Sequence, residues 1–193
     1  MNKQNRQFTS ESNQFFVLTG GPSVGKTSLI EALSHHGFKT VPEDARRIIK
    51  EQMQVDGDAL PWQNKQKYTD LMLEAALKSY SEQKKLDVKS PVFFDRGHLD
   101  SICYMKMEQL KIDENSLKLI RENPYQNVFI LPPWKEIYTT DSERKQSWEE
   151  VLYTHEMMKQ TYLEFGYSPI EVPKMSINDR LDFVLKFLKY QNL

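Results

Sequence analysis

Phe15-Phe16-Val17-Leu18-Thr19-Gly20-Gly21-Pro22-Ser23-Val24-Gly25-Lys26-Thr27-Ser28-Leu29-Ile30 is the stretch that decides the fold. A short apolar run of β character feeds a glycine-rich turn, and an apolar-periodic segment follows. Gly20 to Thr27 fits the pattern Gly, four residues, Gly-Lys-Ser/Thr, the signature of a phosphate-binding loop. Glycines let the backbone curl so that successive N–H groups face inward as an anion nest. A helix opening near Lys26 adds its positive end. Gly20, Gly21, Pro22, Ser23, Val24, Gly25, Lys26, Thr27 and Ser28 are therefore the expected nucleotide-binding residues. Lys26 would reach the β- and γ-phosphates of ATP, and the Thr27 hydroxyl would ligate Mg²⁺.

Working outward, Ser28 to His35 reads as a helix, and Phe38 to Val41 as a second strand halted by Pro42. Glu43 to Ile49 opens a helix with acids in its first turn. Pro61 suits the first turn of a long amphipathic helix over Trp62–Lys85. Pro91 to Asp95 is a buried-type strand, followed by helices over His98–Leu110 and Asn115–Arg121. Asn127 to Leu131 is the fourth strand, ended by Pro132-Pro133. A polar stretch from Thr139 to Gln146 leads into a helix carrying Trp148, Val151, Leu152, His155 and Tyr162. Pro169 to Val172 is the last strand and Ile177 to Tyr190 the closing helix. Strands alternating with helices imply an α/β fold, a parallel sheet covered on both faces.

The chain has 193 residues, 39% hydrophobic and 27% charged, which suits one soluble domain over 15–193 behind a polar leader at 1–14. A net charge of −1 gives no electrostatic reason to expect nucleic acid or a membrane surface as a partner. Cys103 is the single cysteine, which rules out an internal disulfide and a cysteine-rich metal site. With no apolar run of membrane-spanning length, a cytoplasmic location is expected. Oligomeric state stays open, a homodimer included.

Ligands of such folds sit at the carboxyl ends of the strands, so strand-end residues are the candidates. Asp95 stands where an acid holds Mg²⁺ directly or through water, or serves as base; it would equally cap the following helix. Arg96 would pair a phosphate or an anionic substrate, or form a surface salt bridge. Glu43 would take a proton from an attacking hydroxyl or orient a water, and would serve equally as helix N-terminal charge. Arg46 and Arg47, a turn onward, would clamp substrate. Trp134 offers a stacking surface for substrate after the rigid double proline. Arg144, with Lys145 second, is the candidate cation of a closing flap. His35 and His36 diverge on a helix end, and His155 falls on an apolar stripe.

With these residues assembled, the chain resembles the small bacterial P-loop proteins known as predicted AAA-type ATPases. These are related to nicotinamide-riboside kinases and, more distantly, to deoxynucleoside and thymidylate kinases. The matching stretches are Gly20–Ser28, Val41 to Arg47, Phe94-Asp95-Arg96-Gly97, Pro133-Trp134 through Asp141-Ser142-Glu143-Arg144, and Val172-Pro173. The resemblance implies a P-loop NTPase three-layer sandwich whose five-stranded sheet has the order 2-3-1-4-5. It implies that Glu43 stands where deoxynucleoside kinases carry their base, Asp95-Arg96 where they carry an acid–arginine pair, and Arg144 where they carry a lid arginine. Pro173 to Ser176 would flank the adenine.

The expected function is an ATP- and Mg²⁺-dependent transfer of phosphate to a small hydroxylated, nucleoside- or nucleotide-like acceptor. Lys26, Glu43, Asp95, Arg96 and Arg144 are the catalytic candidates, with Glu43 and Asp95 both open as the base. The alternative is a nucleotide-binding switch or slow ATPase working through a protein partner. Asn64-Lys65-Gln66-Lys67 lacks the final acid of a guanine-selective Asn-Lys-X-Asp motif.

Overall fold

Near-continuous apolar runs along three central strands, buried on both faces, build the core. The structure is a computed structural model describing residues 13–86, 89–138 and 147–191. Strands β1 (Phe15–Gly20), β2 (Lys39–Val41), β3 (Val92–Asp95), β4 (Asn127–Leu131) and β5 (Ile170–Glu171) form one sheet in the order β2-β3-β1-β4-β5. All four strand pairings are parallel. Phe16, Leu18, Phe93, Phe129 and Leu131 face one side and pack with Leu29, Leu33, Val184 and Leu188. These last four belong to α1 (Lys26–His35) and α7 (Ile177–Tyr190). Phe15, Val17, Val92, Phe94 and Val128 face the other side. There they meet α3 (Lys65–Lys85), α4 (His98–Met107), α5 (Glu114–Glu122) and α6 (Trp148–Glu164) through Leu73, Ile102, Ile120 and Tyr162. The result is the three-layer arrangement and strand order implied by the phosphate-loop resemblance.

Several boundaries differ from the sequence reading. Helix α2 spans Ala45–Gln54, so Glu43 and Asp44 precede it rather than occupy its first turn. Helix α3 begins at Lys65, not at Trp62. Asn64 takes the cap, its side chain accepting from the Lys67 N–H at 3.1 Å, so the asparagine cap outcompetes the proline as a start signal. Helix α4 ends at Met107, and β5 shrinks to two residues. Gln14, assigned to the leader, already pairs with β3 at the start of the central strand, its carbonyl accepting from the Val92 N–H at 2.8 Å.

Register then decides which strand ends become neighbours. Leu18 lies opposite Asp95, two residues before Gly20 opens the loop. Val41 lies opposite Phe94, which brings Glu43 level with Arg96 across the β2–β3 edge. No helix among the described residues is long and apolar enough to cross a membrane.

Candidate functional site

The loop after β1 is shaped by positive backbone angles. Ser23 and Gly25 have φ of 55° and 78°. Gly25 forms the N-cap of α1, no side chain caps that end, and no acid occupies its first turn. The orphan N–H groups and positive pole of α1 are thereby left for an anion. Glycine is required at 25 on two counts. Its φ is left-handed, and a Cβ would lie 2.8 Å from Nη1 of Arg180.

Lys26 opens α1 and pairs through Nζ with the Asp95 carboxylate, both side chains at most 15% exposed. The parallel register explains the pairing, since β3 ends beside β1 just below the loop. Thr27 and Ser28 are exposed on the first turn of α1.

Arg96 follows directly on the end of β3. Its φ is 67°, a left-handed conformation that costs a non-glycine residue about 1 kcal/mol or more. The Arg96 N–H donates to the Leu18 carbonyl at 2.9 Å, so sheet pairing continues past β3 into the kink. Gly97 follows where a Cβ would stand 2.9 Å from both Val17 and Tyr125. This kink sends the Arg96 guanidinium between two carboxylates. Nε lies 2.8 Å from Glu43 Oε1, and Nη1 donates to Asp100 Oδ1 at 3.2 Å. Burial works against its charge, yet Glu43, Asp100 and Asp95 outweigh burial and hold its pKa above the ordinary value.

Asp100, 7% exposed, is the hub behind it. Besides Arg96, it accepts from the Thr19 hydroxyl, from the Gly97 N–H at 2.8 Å and from the Tyr162 hydroxyl at 2.7 Å. Four donors satisfy a carboxylate that would otherwise be expensive to bury. They also bind β1, the β3–α4 junction and α6 into one unit.

Beside these groups lies a cavity of about 380 Å³ that Gly21 and Pro22 of the loop share with Glu43, Asp95, Arg96 and Asp100. Tyr68, Met72, Phe94, Tyr104 and Met107 add apolar and aromatic surface to its lining. Cys103 also lines it, with a thiol pushed up to about 12 by burial, far from a reactive thiolate.

The structure thus brings together Lys26, Glu43, Asp95 and Arg96. Other sequence candidates fall elsewhere. Arg47 is exposed on α2 and pairs with Asp44 and Glu51, each at 2.8 Å. Arg46 is also exposed, and neither arginine lines the cavity. Trp134 lies outside the cavity as well, 4.6 Å under the Arg180 guanidinium. The short 3-10 helix after it, Lys135–Ile137, rests near the loop, with Ile137 Cδ1 3.7 Å from where a Gly25 Cβ would be. Arg144 and Lys145 lie outside the described residues. His98 is buried with Nε2 2.9 Å from the Asn123 carbonyl, its pKa lowered by burial to about 4.

Sequence reasoning missed Asp100, Tyr162, Thr19 and Arg180. Asp100 carried one local signal, an acid three residues after the helix-capping Gly97. Arg180 carried none, since it reads as a polar residue at the start of an amphipathic helix.

A family model described as an AAA domain matches residues 15–180. No protein of curated function matches the chain by sequence. Among solved structures, deoxyadenosine kinase from M. mycoides with bound dATP is similar at TM-score 0.57 and 16% identity, over 92% of this chain and 100% of that one. NadR protein in complex with NR is similar at TM-score 0.70 and 18% identity, over 94% of this chain and 52% of that one. Shikimate kinase from Acinetobacter baumannii in complex with shikimate is similar at TM-score 0.57 and 14% identity, over 95% and 97%. Likeness at these identities shows a shared fold, the P-loop kinase-like sandwich.

Proposed function

The chain belongs to the AAA domain family, and from that premise we propose that it is an ATP-dependent phosphotransferase acting on a small hydroxylated, nucleoside-like metabolite. One observation carries the reading. The phosphate loop opens directly onto a cavity of small-molecule size, which the strand-end carboxylates of Glu43 and Asp95 also line. A protein that only bound and slowly hydrolysed a nucleotide would have no use for such a room. The deoxyadenosine and shikimate kinases of the same fold act, by name, on small hydroxylated molecules.

In this reading the α1 N-terminus, the loop N–H groups and Lys26 hold the β- and γ-phosphates of ATP. Glu43 and Asp95 both line the acceptor cavity, paired with Arg96 and Lys26 respectively; because Asp95 stands beside the lysine of the phosphate loop and is the carboxylate assigned to the ion, Glu43 is the favoured base. Glu43 accepts the proton of the acceptor hydroxyl as its oxygen bonds to the γ-phosphorus, and the bond to the β,γ-bridging oxygen breaks to release ADP. Arg96 orients Glu43 through their 2.8 Å ion pair. The donor set suits Mg²⁺. A hydroxyl at Thr27 and a carboxylate at Asp95 are few and hard, as expected of an ion held largely by phosphates and water. No cluster of three or more His, Cys, Asp or Glu side chains able to hold a metal occurs among the described residues. When bound, the ion would neutralise phosphate charge.

The test mixes the protein and Mg-ATP with a panel of nucleosides, mononucleotides and ribosides, following ADP and phosphorylated product by mass. Product on any acceptor, lost in Lys26→Ala, is the expected result. ADP release at one slow rate whatever is added would instead favour a switch or ATPase working through a partner.

A further inference from the structure

Resting on the reading of Glu43 as the base, we propose that Asp100 is a positioning residue: acting through Arg96, it holds Glu43 in a fixed place relative to the phosphate loop. The two oxygens of Asp100 have separate partners. Oδ2 accepts from the Gly97 N–H at 2.8 Å and from the Tyr162 hydroxyl at 2.7 Å, which anchors the carboxylate to the β3–α4 junction and to α6. Oδ1 accepts from the Thr19 hydroxyl and from Arg96 Nη1, the latter at 3.2 Å. Thr19 is fully buried in β1 and immediately precedes Gly20, where the phosphate loop begins. Arg96 also pairs with Glu43, Nε to Oε1, at 2.8 Å. One buried carboxylate therefore joins the strand that enters the loop to the side chain that would take the proton. Its donors fill the roughly four lone-pair sites a carboxylate has. Asp100 lines the cavity, yet it has no site left for an acceptor or a metal ion, so it acts through the arginine.

Glu43 needs such a hold. It stands in residues 42–44, between the end of β2 and the start of α2, outside regular secondary structure. The Glu43 and Arg96 side chains are 30% and 23% exposed. A pair that open gains little by itself, because lost rotamer freedom offsets most of the attraction. The Asp100 side chain is 7% exposed and is held on both oxygens. Tying the guanidinium to it at Nη1 restricts Nε as well, and Glu43 with it. In-line transfer is sensitive to such placement, since a misplacement of about 1 Å can cost about a hundredfold in rate.

Two readouts on the full chain test this. Exchange of the Arg96 Nε–H proton with water, followed by NMR and assigned by its loss in Arg96→Lys, requires neither nucleotide nor acceptor. Asp100→Asn is expected to speed that exchange about tenfold or more, because a charge-assisted hydrogen bond is lost. Tyr162→Phe removes a hydroxyl that bonds Asp100, so its effect on the Arg96 proton travels through Asp100. It is expected to speed exchange about threefold, and it decides the matter where Asp100→Asn does not fold. Unchanged exchange would overturn the proposal. The second readout is single-turnover transfer from Mg-ATP to the nucleoside or riboside that the parent protein phosphorylates. Asp100→Asn and Arg96→Lys should each slow it about tenfold to a hundredfold, since an ammonium cannot bridge both carboxylates. Combined, they should slow it no more than about twofold beyond either alone, because Asp100 works through Arg96. Tyr162→Phe stands in for Asp100→Asn here as well. Leu188→Ala, a core change on the other face of the sheet, should lower the melting temperature and leave the rate in place. Effects that multiply, or a rate that merely follows melting temperature across the variants, would overturn the proposal and leave Asp100 a structural residue. If the parent phosphorylates no member of the panel, the kinase reading falls, and the Arg96 proton alone decides whether Asp100 positions the pair.

Discussion

Arg180 donates a 2.9 Å hydrogen bond from Nη1 to the Val24 carbonyl, tying the tip of the phosphate loop to the first turn of α7. The same guanidinium donates from Nε to the Pro173 carbonyl at 3.1 Å and lies over the Trp134 ring. Three separate segments therefore meet on one side chain that is only 2% exposed. Burial works against its charge and lowers its pKa, while the two carbonyls and the indole face offset part of that cost. Holding the Val24 carbonyl fixes the orientation of the Val24–Gly25 peptide, whose N–H lies in the loop proposed to bind phosphate.

Removing that tie is expected to loosen the loop. Arg180→Ala should cost about 2–4 kcal/mol in urea unfolding, because two hydrogen bonds and a buried stem are lost. In the fraction that folds, ATP affinity should fall while Arg180→Lys recovers only part of it, since an ammonium cannot span both carbonyls and the ring. A midpoint unchanged from the parent protein would show that the clamp carries no weight.

The Asp100 hub predicts a ranked pair of effects. Tyr162→Phe removes one of four donors and should cost about 1 kcal/mol. Asp100→Asn takes away the charge facing Arg96 and turns an amide N–H toward groups that themselves donate. It should cost about 3 kcal/mol or more. Chemical denaturation of the two variants under one condition checks the order, and the reverse order would contradict the hub.

Glu43→Gln separates chemistry from stability. The Glu43–Arg96 pair is partly exposed, at 30% and 23%, so its loss should change stability by about 1 kcal/mol at most. If Glu43 is the base, single-turnover phosphoryl transfer should fall by about 10²- to 10⁴-fold. Equal turnover in the variant would pass the role to Asp95.

Stability should depend on pH through His98. Its folded pKa is depressed to about 4 by burial, below the ordinary 6.5. The unfolded chain therefore binds the proton more readily between those values. Stability is fully present above about pH 6.5 and is lost as pH falls toward 4, by about 3 kcal/mol at most. His155, also depressed by burial, acts in the same direction. Unfolding free energies at pH 7.5 and pH 5 should differ accordingly, and His98→Gln should flatten the difference even if it lowers both values.

Local chemistry made some features legible and left others dark. Asn127–Leu131 and Ile177–Tyr190 match the sequence reading residue for residue, because Pro132-Pro133 stops the strand and Ser176 caps the helix. The start of α3 did not, because Pro61 and Asn64 are both plausible start signals three residues apart. Arg46, Arg47 and Trp134 were reasonable from their nearness to strand ends. Which way each side chain faces, however, depends on where its helix or turn docks.

The sequence by itself determined the phosphate loop, the alternation of strands and helices, and the acids at the strand ends, since these rest on spacing within a few residues. Only the tertiary structure decided that Arg96 is shared between Glu43 and Asp100, that Thr19 reaches Asp100 across 81 positions, and that Arg180 reaches Val24 across 156. Such partners are set by strand register and helix packing, which join residues with no relation along the chain. For the same reason the make-up of the cavity belongs to the fold: among the described residues, Glu43, Asp44, Asp95, Arg96, Asp100 and Glu108 come to line one space only when the chain is folded.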